Sequence, residues 1–170
     1  LNGMESSLQE LNALVEEILL YASLESTAPE LSYVPLSLNA LLEELMVPLR
    51  NQYPSQTFAH DVPANLILKA DPHYLKRALQ NLLSNAQRYA ANEVRVTVKN
   101  LSDCLEIRIE DDGPGIPRQQ WQQVLEPFHR VESSRNRKPG GTGLGLAIVR
   151  QIAQWHRGEI EIGESPLGGT

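Results

Sequence analysis

The sequence predicts an α/β domain with a separate helix at its N-terminal end, and three observations predict it. From about residue 56, period-two strand patterns alternate with amphipathic helix patterns. The first twenty-five residues instead repeat apolar side chains at heptad spacing. Two glycine clusters, "DDGPGIP" at 111–117 and "GGTGLGL" at 140–146, stand at junctions between elements. With 170 residues, 41% of them hydrophobic, the chain suffices for one core and an appendage. A net charge of −6 argues against the basic surface that nucleic acid requires. Cys104 is the only cysteine, so there is neither a disulfide framework nor a CxxC metal signature; it reads as a small buried apolar residue in a reducing compartment. No apolar run reaches the roughly eighteen residues of a membrane span, so the chain is expected to be soluble.

In chain order, Leu1, Met4, Leu8, Leu11, Val15, Ile18 and Ala22 form an a/d seam, a face built for another helix. "STAPELSYVP" at 26–35 breaks that pattern with prolines and small polar residues and reads as a linker. "SLNALLEELMVPLRNQYP" at 37–54 predicts a helix capped by Ser37 or Asn39, kinked at Pro48 and closed by Pro54. "TFAHDV" at 57–62 and "LILKA" at 66–70 predict short strands, and Asp71 followed by Pro72 starts a long helix through Ala90. "EVRVTVKN" at 93–100 and "CLEIRIEDD" at 104–112 predict an antiparallel hairpin turning at Asn100, Ser102 and Asp103. "PRQQWQQVLEPF" at 117–128 predicts a short helix, and the basic stretch 129–141, with Arg130, Arg135, Arg137 and Lys138, has no periodicity. A helix over 143–156, a turn at Arg157 and Gly158, and a strand over 159–165 complete the chain.

Neither glycine cluster completes G-x-G-x-x-G, and "GGTGLGL" lacks the Lys-Ser/Thr of a P-loop. What remains is Asn81 and Asn85 on one helix face, an acid-first D-x-G-x-G after a strand, a basic segment, and glycines at a helix start. An amide oxygen suits a Mg²⁺ ion whose other ligands are phosphates and water, and a glycine-rich helix start offers free N–H groups to those phosphates. An aspartate accepting from an exocyclic amine would select adenine. Blander readings stand beside these: helix-surface asparagines, turn glycines, a solvated basic loop, and Tyr89, Phe128, Trp121 and Trp155 as packing residues.

"LQNLLSNAQRYA", "DDGPGIP", "EPFHRVE" and "GGTGLGLAIV" resemble, in this order, the N box, first glycine box, F box and second glycine box of bacterial sensor histidine kinases. The likeness covers roughly residues 35–170, and the heptad helix with "LLYASLES" resembles the second helix of their dimerisation hairpin. The resemblance implies a two-layer α/β sandwich, a mixed, largely antiparallel sheet covered by helices, shared with gyrase, MutL and the large heat-shock ATPases. It divides the chain into a partial dimerisation helix at 1–28, a linker at 29–36 and an ATP-binding domain at 37–170 with its lid near 118–142.

By that resemblance Asn85 would coordinate Mg²⁺, and Asn81 would support metal or phosphates. Arg88 would meet phosphate and Arg130 would reach the γ-phosphate. Tyr89 would pack on adenine, and Asp111 would accept from its amino group while Gly113, Gly115 and Ile116 let backbone approach the base. Phe128 would anchor the lid, and Gly141, Thr142, Gly143, Leu144, Gly145 and Leu146 would carry it into the following helix. Arg88 stands where the family often has lysine, which keeps the charge.

The implied activity is γ-phosphoryl transfer from ATP to a histidine on the kinase's own dimerisation helix, in a homodimeric receptor at the cytoplasmic side of the bacterial inner membrane. A response regulator then takes the phosphoryl group; nucleic acid is no partner, and the membrane enters only through segments outside this chain. His60, His73, His129 and His156 all lie in the wrong context for the acceptor, so the chain is expected to be part of a longer receptor. Two alternatives belong to other classes: a hydrolytic ATPase of the gyrase or MutL kind, and a non-catalytic binding module. The first would place a glutamate where Asn81 stands, and the second would be separated by its ATP affinity with and without Mg²⁺.

Overall fold

The computed structural model describes residues 11, 12, 15, 18, 19, 21–23, 29–101, 103–131 and 141–170. Leu1, Met4 and Leu8 of the predicted seam, Ser102 of the predicted turn, and Arg135, Arg137 and Lys138 of the basic stretch lie outside them. The described residues between 11 and 23 are helical, and the seam positions Leu11, Val15 and Ile18 are exposed.

Strand β1 (Val34–Ser37) begins in the stretch expected to be linker, ends at the expected cap Ser37, and pairs antiparallel with β3 (Ile67–Ala70). Helix α1 (Leu38–Gln52) starts where Ser37 Oγ accepts from the Ala40 N–H at 3.3 Å, as the capping pattern predicts. Pro48 sits inside α1, which continues to Gln52. Strand β2 (Thr57–Asp61) runs parallel to β4 (Glu93–Asn100), and β4 pairs antiparallel with β5 (Leu105–Asp111) as the expected hairpin. The sheets therefore have orders β1-β3 and β2-β4-β5.

Helix α2 (Pro72–Tyr89) buries Ala78, Leu79, Leu83 and Ala86, and helix α3 (Gly145–Trp155) buries Ala147, Ile148, Val149 and Ile152. One core joins α1 and α2 to the sheet through Leu38, Leu42, Met46, Phe58, Leu83, Val94 and Val96. A second joins α2 to α3 through Ala78, Leu144, Ile148 and Ile152, with Tyr21 and Trp155 packed against it. Two helices therefore lie over one sheet face, and their seam is fixed by apolar burial.

A polar knot ties the segment before β1 to the ends of both helices. The buried Asp71 carboxylate caps α2 by accepting from His73 and Tyr74 N–H groups at 3.0 and 3.3 Å, and also accepts from Ser32 N–H at 2.9 Å. Asp71 N–H donates to His156 Nε2 at 3.1 Å, while His156 Nδ1 donates to the Ile152 carbonyl at 2.9 Å, so the imidazole proton sits on Nδ1. Tyr33 Oη donates to the Trp155 carbonyl at 3.2 Å, and its ring meets His156 edge-on at 5.5 Å.

Three expectations are corrected. Residues 117–128 form two short 3₁₀ turns, Arg118–Gln120 and Gln123–Leu125, because prolines bracket a stretch whose buried content is Val124 alone. Residues 159–165 form no strand ladder among the described residues. The Ile160 and Ile162 alternation reports a half-buried face, but a strand also needs a partner in hydrogen-bonding reach, and a cavity lies between this segment and β5. Cys104 is exposed, at the hairpin turn rather than in the core.

Candidate functional site

The cavity, about 1420 Å³, opens where α2, the end of β5 and the start of α3 meet, and continues along β5 to residues 157–165. Asn81, Asn85 and Arg88 fall at i, i+4 and i+7 on α2, opposite the face that buries Leu79, Leu83 and Ala86, so core packing turns all three toward the cavity. Tyr89, Asp111, Gly115, Ile116, Arg130, Gly141, Thr142, Gly143, Gly145 and Leu146 complete the predicted residues that line it. Gly113, Phe128 and Leu144 lie outside its wall.

Asn81 Nδ2 is buried without a hydrogen-bond partner among the described residues. Such an orphaned amide beside a cavity marks a place where a ligand completes the bonding, and rotation of the amide offers the oxygen instead. The start of α3 faces it: a Cβ at Gly145 would stand 3.9 Å from Asn81 Cγ, and no side chain caps the helix N-terminus. Free N–H groups at that end suit an anion. Thr142 Oγ1 accepts from Leu144 N–H at 3.0 Å and shapes the entry. Leu144 itself is fully buried and serves the α2–α3 core.

Asp111 ends β5 and is 8% exposed. Its Oδ1 accepts from Gly113 N–H at 2.8 Å, its own N–H donates to the Thr170 carbonyl at 2.9 Å, and its carbonyl accepts from Gly169 N–H at 3.1 Å. Burial raises its carboxyl above the ordinary carboxylate range, against the lowering by Gly113 and Thr170, and the Asp112 charge adds to the rise. A buried carboxylate in this state gains from a donor that favours its charged form. Gly113 is required by proximity: any Cβ there would strike the Tyr89 carbonyl and the Asp111 carboxylate. Gly115 turns the chain at φ +69°.

Phe128 and Gly143 meet across the intervening segment: Gly143 has φ +76°, and a Cβ there would lie 2.8 Å from Phe128 C. The Gly143 carbonyl accepts from Phe128 N–H at 2.9 Å. Phe128 has φ +63° and a side chain that is 61% exposed. Gly141, at φ +117°, leaves room for the Arg88 guanidinium. Glu126 pairs with Arg150 of α3 at 2.8 Å.

The sequence reading missed Gly169 and Thr170. Thr170 Oγ1 accepts from Ile116 N–H at 2.9 Å and the residue lines the cavity, while a Cβ on Gly169 would collide with Asp111. Both act through contacts more than fifty residues away in sequence, which no local spacing announces.

An α/β domain sets a long asparagine-bearing helix, an acid-glycine turn and a glycine-rich helix start around one cavity, and this chain belongs to the histidine kinase-, DNA gyrase B- and HSP90-like ATPases, whose model matches residues 70–170. It is 34% identical over 169 residues to the sensor protein RstB of Escherichia coli K12, covering 99% of this chain and 39% of RstB. To the sensor histidine kinase CpxA of the same organism it is 42% identical over 102 residues, 60% of this chain and 22% of CpxA. The chain thus spans between a fifth and two fifths of these relatives. Among solved structures, full-length ShkA in complex with AMPPNP superposes with a TM-score of 0.77 at 26% identity, over 95% of this chain and 36% of ShkA. The ATP-binding domain of PrrB from Mycobacterium tuberculosis gives 0.66 at 29% identity, over 81% and 91%. The fold implied by the four boxes is the fold found.

Proposed function

We propose that this chain is the catalytic module of a bacterial sensor histidine kinase, binding ATP with Mg²⁺ and donating the γ-phosphoryl group to a histidine on a dimerisation helix, from which a response regulator is phosphorylated. The observation that carries the reading is that the α2 face of Asn81, Asn85 and Arg88 shares one cavity with Asp111, with Gly141 against Arg88 and Gly145 facing Asn81. Asp111 and Tyr89 would hold the base; Arg88, Arg130 and the α3 N-terminus would meet the phosphates and orient the terminal one for in-line attack.

Asn81 and Asn85 would hold the metal. Each would do so through its amide oxygen, while the orphaned Asn81 Nδ2 is a donor suited to a phosphate, and the described residues contain no cluster of three or more His, Cys, Asp or Glu that would bind a cation by protein ligands alone. Bound there, Mg²⁺ would supply neutralisation of phosphate charge. Asn81 cannot activate water as a glutamate could, which favours transfer over hydrolysis. The reading carries with it a dimerisation helix at 1–28, a linker at 29–36 and a nucleotide domain at 37–170, in a homodimeric receptor held at the cytoplasmic side of the inner membrane by other segments. Among the described residues, no helix is long and apolar enough to cross a membrane.

The test is incubation with γ-labelled ATP, with and without a histidine-bearing dimerisation hairpin of a related kinase. Acid-labile label on the hairpin is expected. ATP hydrolysis that ignores the hairpin and leaves it unlabelled would overturn the assignment.

A further inference from the structure

The acid beside Asp111 has more partners than any other described carboxylate. Asp112 Oδ1 accepts from three successive N–H groups, those of Ala91, Asn92 and Glu93, at 2.8, 2.9 and 3.0 Å. Its Oδ2 accepts from Asn92 N–H at 3.0 Å and from Asn92 Nδ2 at 3.2 Å. Asp112 N–H closes the ring by donating to the Glu93 carbonyl at 3.2 Å. Three consecutive amides turned to one oxygen make an anion-holding concavity, and here the anion is supplied by the chain itself. These bonds hold its carboxyl below the ordinary carboxylate range although burial opposes them.

The clasp joins the two halves of the nucleotide site. Ala91 to Glu93 lie just beyond the C-terminal end of α2, the helix that carries Asn85 and Arg88. Asp112 stands between Asp111 and Gly113, and Gly113 rests directly on the Tyr89 carbonyl. We infer that Asp112 is a positioning residue for nucleotide binding, fixing the separation between the base-facing carboxylate of Asp111 and the phosphate-facing arm of α2. The inference rests on the nucleotide reading of the site. It touches no ligand and supplies no step of the reaction.

The loop it clasps is largely open to water. Amides freed there find water, so removal of the carboxylate leaves few buried donors unpaired and the fold survives. What is lost is register between α2 and the turn after β5. A ligand confined to the base end spans only the short step from Asp111 to Tyr89, which the seat of Gly113 on the Tyr89 carbonyl still holds, and senses the change little. A triphosphate spans both halves and loses alignment at one of them, where displacement by an ångström is costly.

Asp112→Ala and Asp112→Asn, beside the wild-type chain, are titrated with adenosine by NMR and with Mg²⁺·AMPPNP by calorimetry, and melted by circular dichroism. The alanine variant is expected to bind AMPPNP roughly tenfold more weakly, about 1.4 kcal/mol, while adenosine affinity changes less than about twofold and the cooperative melt is kept. Asn keeps an oxygen for the three amides and is expected to recover most of the AMPPNP affinity. If the alanine variant fails to fold, Asp112→Ser takes its place with the same expectation. Equal losses for adenosine and AMPPNP, no loss for either, or no recovery by asparagine would overturn the positioning role while leaving the nucleotide site standing. A wild-type chain that binds neither ligand would overturn both.

Discussion

Gly169→Ala tests the architecture beneath Asp111 at a position no box contains. The new Cβ would lie 2.5 Å from the Asp111 carbonyl oxygen and 2.7 Å from Gly113 N, and nearer still to Asp111 Oδ1, where ordinary contact begins at 3.4 Å. Relief at the carbonyl alone needs a shift of about 0.9 Å, and backbone on both sides resists it. The carboxylate, nearer still, must move at least as far, which breaks its 2.8 Å bond from Gly113 N–H and would turn it from the base it is proposed to hold. A charge-assisted hydrogen bond is worth about 1.5–3 kcal/mol, so adenine-nucleotide affinity should fall by about ten- to a hundredfold. Gly168→Ala is the control: its φ of +108° makes alanine strained, yet its Cβ meets nothing within 4 Å. That variant should lose about 1–2 kcal/mol of stability and keep its affinity. Calorimetric titration with an ATP analogue, beside a melt of each variant, reads both quantities. Equal affinities in the two variants would refute the claim that Gly169 acts through Asp111.

Asp111→Ala should weaken nucleotide binding by about ten- to a hundredfold, measured by the same titration. Because burial raises the Asp111 carboxyl, its contribution to stability is present below its unfolded pKa and lost as pH rises through the folded one. Binding needs the charged form, so wild-type affinity should fall with acid just above the ordinary carboxylate range, and Asp111→Asn should be weak and flat there. Asn85→Ala should lose the tightening that Mg²⁺ brings while metal-free binding changes little; equal losses in both conditions would make Asn85 a wall of the pocket only. Away from the site, hydrogen bonds from Arg50 and then His60 lower Glu43 from 4.5 to about 2. The stability it adds is present above pH 4.5 and lost toward about 2, and for this half-exposed group amounts to about 1 kcal/mol or less. Glu43→Gln should flatten the melting temperature in that window, and parallel curves for the two proteins would exclude the effect.

Helices were legible where local chemistry decides them. Ser37 and Asp71 announce the starts of α1 and α2 because a cap acts within three residues, and the β4–β5 hairpin follows from alternation on both sides of a turn. The four boxes marked Asn81, Asn85, Arg88, Asp111 and Gly145, which the fold gathers around one cavity. Illegible was whatever depends on distant partners. β1 hid in a proline-containing stretch because its ladder is with β3, more than thirty residues on. The 159–165 alternation promised a strand whose neighbour does not come within reach. The exposed Phe128 side chain and the backbone bond from Phe128 to Gly143 were equally illegible, because both depend on contacts with the start of α3 and not on residue type.

The knot at Asp71 and His156 makes the domain a pair of levers with a common grip. Ser32 and Tyr33 are tied to the N-terminal end of α2 and the C-terminal end of α3, whereas the cavity lies toward the other end of each helix. A pull on the chain ahead of β1 therefore enters both helices together, and the α2–α3 core, with Leu144 and Ile148 fully buried, resists any sliding of one past the other. Asn81 and Gly145 therefore belong to one packed unit, Asp111 is moored to the sheet through β5, and the Asp112 bonds to residues 91–93 are the tether across which such a load would pass from one to the other.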